Sequence, residues 1–284
     1  MKRTLRLGPA ALEWHLDGGD ARWQPFLTAY AAYEDGARPP AATLVVEAEI
    51  GRPEARAGRS LPASLVRARR VTGRDFDVDG GLIAGTLPAA DRCRCRLHPA
   101  LMAGNGLRVL EQFFYLLFYQ AVHGGGERTA DAPFLLHAAA ALAPRGVHVF
   151  CGPSRSGKST AIGNSRAHRV LTDEAVAITP EPSGAWAEGG PVNPSCVFKE
   201  PGGGPIAGVY LLAQASKHEL RPLSRQAALP RLMQEVMVPL GPLELNLGLG
   251  AARAFDCAAR LWAIQPVREL RLLPDPGFWR LLEP

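Results

Sequence analysis

One stretch of the chain carries residues spaced for nucleotide chemistry. Gly152-Pro153-Ser154-Arg155-Ser156-Gly157-Lys158-Ser159-Thr160 follows the pattern G-x-x-x-x-G-K-[ST], and the β-prone run Val147-His148-Val149-Phe150-Cys151 leads straight into it. With a strand before it and a helix after it, this pattern is expected to form a phosphate-binding loop. Its glycines let consecutive backbone N–H groups turn inward around an anion, and a helix starting near Gly157 adds its positive end. Lys158, one of only four lysines in the chain, is placed to reach the β- and γ-phosphates, and the Ser159 hydroxyl suits Mg²⁺. Residues 152–160 are therefore the expected site for ATP or another purine triphosphate with Mg²⁺. Arg155 either contacts a phosphate or points to solvent.

A second signal follows shortly after. Arg169-Val170-Leu171-Thr172-Asp173-Glu174-Ala175-Val176-Ala177-Ile178 is an apolar strand interrupted by an acidic pair. After a phosphate-binding loop, this is where a catalytic or Mg²⁺-binding carboxylate is expected. Adjacent residues of a strand face opposite sides, so Asp173 and Glu174 serve one site only if the strand ends or bends there. His137, in Leu135-Leu136-His137-Ala138, is either a packed histidine at a strand end or a third member of the site. Lys199 is either a surface lysine or a contact to acceptor or nucleotide.

These residues need elements to hold them. Phe134 to Ala143 leads through the turn Pro144-Arg145-Gly146 into the strand before the loop, and a short helix should follow Lys158. Residues 180–205 are rich in Gly and Pro, with Ala185-Trp186-Ala187 as a short strand. Ile206 to Leu212 reads as a buried strand. Ser224 is placed to cap a helix over 225–238, which Pro230 should kink. An amphipathic helix is expected over 251–264 and a closing strand over 267–272.

Upstream, residues 1–100 read as strands and turns: Leu5-Arg6-Leu7 and Leu12 to Leu16 alternate, Asp17 to Asp20 turns the chain, and Thr43 to Ile50 is a strand with acidic residues on one face. Further strands are expected at 65–69 and 76–81, beside a basic run from Arg52 to Arg74 that reads as a solvated face. Leu110, Phe113, Phe114, Leu117, Phe118 and Ala121 recur with helical period, predicting a helix over 107–122 that Gly124-Gly125-Gly126 ends. The boundary between an N-terminal strand-rich part (1–130) and a nucleotide-binding domain (131–284) is placed in that glycine loop.

Composition narrows the classes. Of 284 residues 47% are apolar, enough for a substantial core, and the net charge of +5 comes from arginine rather than lysine. No nucleic-acid motif accompanies that charge, so no nucleic-acid partner is expected. Cys93-Arg94-Cys95 is too tight for the usual zinc or redox pair, and the five cysteines are expected as free thiols in a cytoplasmic protein. Gly8-Pro9 follows Met1-Lys2-Arg3 before any long apolar run, so no signal peptide is expected. The stretches 109–122 and 132–144 are too short or too polar to span a membrane. Homo-oligomerisation is left open.

Taken together, His137 in its Leu-Leu-His-Ala context, the loop 152–160 and Leu171-Thr172-Asp173-Glu174 resemble the C-terminal kinase domain of HPr kinase/phosphorylase. Ile206 to Leu212, Leu223-Ser224 with its helix, and Pro266-Val267-Arg268-Glu269-Leu270 are similar to the broader group of HPr-kinase-related proteins. The likeness covers roughly residues 130–284. It implies an α/β P-loop kinase fold shared with phosphoenolpyruvate carboxykinase, built on a mixed sheet, which the N-terminal strands either extend or accompany as a separate part. By position it implies that Lys158 and Ser159 bind triphosphate and Mg²⁺, that Asp173 is the catalytic base, that Glu174 contacts the metal, and that His137 lies near the carboxylate. Glu174 stands where the protein-kinase members have Asp, the segment from Lys158 to Asp173 is slightly shorter, and the arginine- and glycine-containing loop of enzymes acting on HPr is missing. The implied function is transfer of the γ-phosphate of ATP to a hydroxyl of a small molecule, or to a serine of a peptide or protein other than HPr. The alternatives are a nucleotide-binding regulator without transferase activity and a carboxykinase-type lyase.

Overall fold

The computed structural model describes residues 1–17, 20–52, 70–72, 75–78, 82–102, 109–123, 131–191, 198–237 and 249–284. The strand expected at 65–69, the glycine loop 124–130 and most of the basic run 52–74 lie outside them. The described residues form a mixed α/β structure with two mixed sheets.

The first sheet has seven strands: β1 (Lys2–Leu7), β2 (Ala10–Leu16), β3 (Ala42–Ile50), β4 (Arg70–Thr72), β5 (Asp75–Val78), β6 (Ile83–Ala89) and β7 (Arg92–Leu97), in the order β1-β2-β3-β7-β6-β5-β4. Alternation sets its faces. On β2, Leu12, Trp14 and Leu16 are buried while Glu13 and His15 face outward. On β7, Cys93, Cys95 and Leu97 point inward and Arg92 and Arg94 outward, so the closely spaced cysteines are two core residues on one side of a strand. The acidic face expected for β3 is matched by these arginines: Arg94 donates to Glu47 at 2.8 Å, and Arg96 pairs with Glu49.

Reading residues 1–100 as strands and turns alone needs correction. β2 and β3 run parallel, and parallel neighbours require a crossover rather than a tight turn. That crossover holds helix α1 (Gln24–Tyr30), flanked by 3₁₀ turns at Asp20–Arg22 and Ala31–Tyr33. Its buried residues, Trp23, Phe26, Tyr30 and Tyr33, fall at helical spacing and close over Trp14, whose ring lies 5.0 Å from that of Phe26.

Helix α2 (Val109–His123) carries the predicted apolar stripe, with Leu110, Phe113, Phe114, Leu117 and Phe118 all buried. One apolar core extends from the first sheet through α2 to the second sheet. The two sheets are nonetheless separate: the N-terminal strands hydrogen-bond among themselves and do not extend the second sheet. Arg38, in the N-terminal part, lies over the Trp186 ring, 3.4 Å from its centroid, and pairs with Glu181.

The second sheet has nine strands: β8 (Phe134–Ala143), β9 (Gly146–Cys151), β10 (Arg169–Thr172), β11 (Ala175–Glu181), β12 (Gly184–Gly189), β13 (Gly203–Gln214), β14 (Glu219–Pro222), β15 (Val236–Met237) and β16 (Val267–Leu272). β9, β13 and β16 are parallel, and the other pairings in this sheet are antiparallel. Helix α3 (Lys158–Gly163) follows β9, α4 (Arg225–Glu235) precedes β15, and α5 (Leu249–Ile264) precedes β16. The Ser224 hydroxyl caps α4 by accepting from the Ala227 N–H at 3.3 Å. α4 stops at Glu235, short of the expected 238, because Val236 and Met237 leave the helix to pair with Leu136 and Leu135 of β8. β16 is not the last element: a 3₁₀ turn and helix α6 (Trp279–Leu282) pack back on the sheet, with Phe278 and Trp279 against Phe150. Among the described residues no helix is long and apolar enough to cross a membrane.

Candidate active site

β8 changes neighbours on both edges at the same place. Its residues 138–143 pair with β9 and residues 135–136 with β15. On its other edge, residues 140–142 pair with β10 and residues 134–137 with β11. His137 and Ala138 sit where these partners change. Ala138 lies opposite Cys151, the residue before Gly152, and its N–H donates to the Glu174 carbonyl at 3.1 Å. Two strand spacings therefore separate the start of the loop from the acidic pair, about 10 Å of backbone.

Loop 152–160 leaves β9 at the carboxyl ends of the parallel strands, where open α/β sheets bind ligands. Gly152 has φ +150° and a Cβ there would lie 2.6 Å from Ser156 Oγ; Gly157, at φ +112°, begins α3. Both are backbone states that side chains avoid. Arg155, at φ 69°, is the non-glycine residue with positive φ among those described. Its carbonyl accepts from Gln214 Nε2 at 2.8 Å, which ties the turn to the end of β13. The Arg155 side chain is exposed. The Ser156 N–H donates to the Pro153 carbonyl at 3.1 Å. Ser156 Oγ is buried and has no hydrogen-bond partner among the described residues, so the loop keeps polar capacity for something besides itself. Lys158 Nζ donates to the Gly152 carbonyl. The Ser159 side chain, one position further along α3, is exposed. α3 spans six residues, so its dipole is short.

Asp173 and Glu174 occupy a bend between β10 and β11, the break that one site for both carboxylates requires. Thr172 makes the bend: its buried Oγ1 accepts from the N–H groups of Glu174 and Ala175, each at 3.3 Å. Asp173 Oδ1 is shielded from solvent, while the Glu174 side chain is 36% exposed.

His137 Nε2 lies 3.7 Å from Glu174 Oε1, and His137 Nδ1 lies 2.9 Å from Glu235 Oε2. Glu235 is the last residue of α4, with a side chain only 4% exposed. Sequence reasoning missed it. The available signal is its place on the buried stripe of α4, after Ala228 and Leu232, at a spacing where an apolar residue is expected. The charges of Glu235 and Lys158 both reach Cys151: burial is the main force pushing that thiol's pKa far up, Glu235 adds to it, and Lys158 opposes it. A thiol so protonated is inert. The remaining candidate, Lys199, stands over the Tyr33 ring of the N-terminal part, 5.8 Å from its centroid.

Among the described residues, no group of three or more His, Cys, Asp or Glu is arranged to hold a metal ion. No protein-family model matches this chain, and no curated protein matches it either.

Proposed function

We propose that this chain is an ATP- and Mg²⁺-dependent phosphotransferase with a P-loop kinase fold, acting on a hydroxyl of a small molecule or on a serine of a peptide or protein other than HPr. One observation carries the reading: at residues 137–138 of β8, the end of the β9 strand that feeds loop 152–160, the bend holding Asp173 and Glu174, and His137 come together. A loop with glycines at positive φ at 152 and 157, one lysine and an unpartnered buried hydroxyl fits a triphosphate. The carboxylates two strands away fit the reacting end of that ligand.

The residues present also fit Mg²⁺. Ser159 and Glu174 are two exposed oxygen donors, and Mg²⁺ in nucleotide sites takes few protein ligands and fills the rest with phosphate and water. When bound, the ion neutralises charge on the β- and γ-phosphates. Lys158 supplies the remaining positive charge, and the loop N–H groups orient the phosphate chain. Asp173 fixes the acceptor hydroxyl in line with the γ-phosphorus. Since this chemistry is mostly positioning and electrostatics, a lysine-bearing loop with carboxylates two strands away meets its demands.

The direct test is incubation of the full chain with γ-labelled ATP, Mg²⁺ and pools of metabolites and peptides. Label transferred to an acceptor supports the reading. Nucleotide binding without transfer to any acceptor would favour a regulator.

A further inference from the structure

The row of residues that ends at the loop continues across the sheet. Cys151 of β9 lies opposite Leu211 of β13, and Leu211 lies opposite Glu269 of β16. Glu269 is therefore level with the start of loop 152–160. Cys151 and Leu211 face the core to which α4 contributes Ala228, Leu229 and Leu232. Helix α3 packs on the other face, through Ala161 and Ile162. Paired residues of neighbouring strands share a face, which turns Glu269 toward α4.

Arg231 of α4 meets it there. Its Nη1 donates to Glu269 Oε2 at 2.9 Å, and its Nη2 donates to the Leu212 carbonyl at 3.4 Å. A Cβ on Gly152 would lie 3.7 Å from that same carbonyl oxygen. The guanidinium thus stands one carbonyl away from the first residue of the loop, whose own carbonyl accepts from Lys158. Two cations converge on Gly152, Lys158 from α3 and Arg231 from the opposite face of the sheet.

An ion pair alone does not account for this arginine. Glu269 Oε1 already accepts from Arg271 Nε at 2.9 Å. On and beside β14, Glu219 pairs with Arg221 at 2.8 Å and with Lys217 at 4.0 Å. Arg231, Arg271, Arg221 and Lys217 therefore share Glu269 and Glu219, an excess of positive charge near the carboxyl ends of β13 and β16. Arg231 uses two of its five N–H donors in the bonds above, and its side chain is 34% exposed. A guanidinium anchored on one side with donors left over is the geometry that arginine brings to phosphate.

We infer that Arg231 is a phosphate-binding residue that contacts the phosphate chain of the nucleotide from the face of the sheet opposite Lys158. This rests on the phosphotransferase reading above and adds a second protein cation to the loop. Glu269 keeps the guanidinium in place, and a phosphate oxygen replaces the long bond to the Leu212 carbonyl.

Calorimetric titration of the full chain with ATP and Mg²⁺, and separately with inorganic tripolyphosphate, tests this. Arg231→Gln should weaken both ligands about tenfold or more, the effect of losing a charged hydrogen bond. Arg231→Lys keeps the charge without the fork and should fall between. Arg221→Gln removes the same charge from β14, the third strand from β9, and should change either affinity by less than about twofold, because an exposed charge at that range is screened. Equal affinities in the parental chain and Arg231→Gln, or an equal loss in Arg221→Gln, would overturn the inference and leave the phosphotransferase reading standing. A parental chain that binds neither ligand would sink both. Where the variants fold poorly, the parental chain decides: ATP with Mg²⁺ should slow phenylglyoxal modification of Arg231 but not of Arg221, read by peptide mass spectrometry. Arg231 modified equally fast with and without nucleotide would remove it from the phosphate site.

Discussion

The Lys158 ammonium donates to the carbonyl of Gly152, six residues upstream, so the charge proposed to meet a phosphate bridges its own loop. A triphosphate would take over that ammonium and leave the carbonyl to solvent. Lys158→Ala should therefore weaken ATP binding by about a hundredfold or more, because the ligand loses a charge-assisted contact. The melting temperature should change little. Calorimetric titration of both proteins checks this, and equal affinities would remove loop 152–160 from the nucleotide site.

Two glycines near the loop should respond in opposite ways to alanine. At Gly152, a Cβ would stand 2.6 Å from Ser156 Oγ and 2.9 Å from Ser156 Cβ, with φ at +150°. Gly152→Ala should lower stability by about 1–3 kcal/mol and abolish nucleotide binding. At Gly163, in α3, a Cβ would meet nothing within 4 Å, so Gly163→Ala should stabilise by about 0.5 kcal/mol. Thermal unfolding of the pair reads both effects.

The acidic pair should divide its work. Asp173→Asn keeps size and removes charge, so transfer should fall roughly tenfold or more with nucleotide affinity retained. Glu174→Gln should raise the Mg²⁺ concentration needed for half-maximal transfer. Metal titrations of the two variants separate the roles; the reverse pattern would exchange them.

Tyr119 of α2 ties the N-terminal part to the site-bearing strands. Its hydroxyl accepts from the Leu135 N–H at 3.0 Å and donates to the Met237 carbonyl. Tyr119→Phe leaves both groups without it and should cost about 1–3 kcal/mol in denaturant unfolding. A chain beginning at Asp131 loses α2 altogether, exposes the apolar core that α2 covers, and should be poorly soluble. Stable folding and full activity of that shortened chain would make residues 1–130 an appendage.

His148 gives the fold a pH limit. Nε2 lies 2.6 Å from Glu283 Oε1 and Nδ1 lies 3.0 Å from Tyr210 Oη, both satisfied by a neutral ring. Burial pulls its pKa below the ordinary value, partly opposed by Glu283. In the unfolded chain the ring takes its proton near pH 6.5, before the native one does. The stability is thus fully present above about pH 6.5 and falls as the pH drops below it. Urea midpoints at about pH 7.5 and about pH 5.5 should differ, and His148→Gln should narrow the difference.

Loop 152–160 was legible because its information is local. Glycines at 152 and 157 supply the positive φ values the turn needs, and a lysine and serine follow at fixed offsets. The alternating face of β2 and the stripe of α2 were legible for the same reason, since a strand or helix writes its buried face into its own period. The bend at Asp173 was half legible: the carboxylates stand out, but the Thr172 hydroxyl that turns the chain does not. α1 was hidden by its length of seven residues, too short for a clear periodic signal, and is required only once β2 and β3 are known to be parallel. That the N-terminal strands form their own sheet depends on which edges pair, which no single strand specifies.

Glu235 marks the limit most clearly. It lies 98 residues from His137, and nothing between them in sequence announces the contact. By itself the sequence determined the residue types, the turn-forming loop and the apolar faces, all set by sterics within a few residues. Only the tertiary structure decided that β8 would switch partners at His137, bringing the end of α4 against a histidine and a buried carboxylate behind the site, because strand pairing over such distances is fixed by the collective packing of the core.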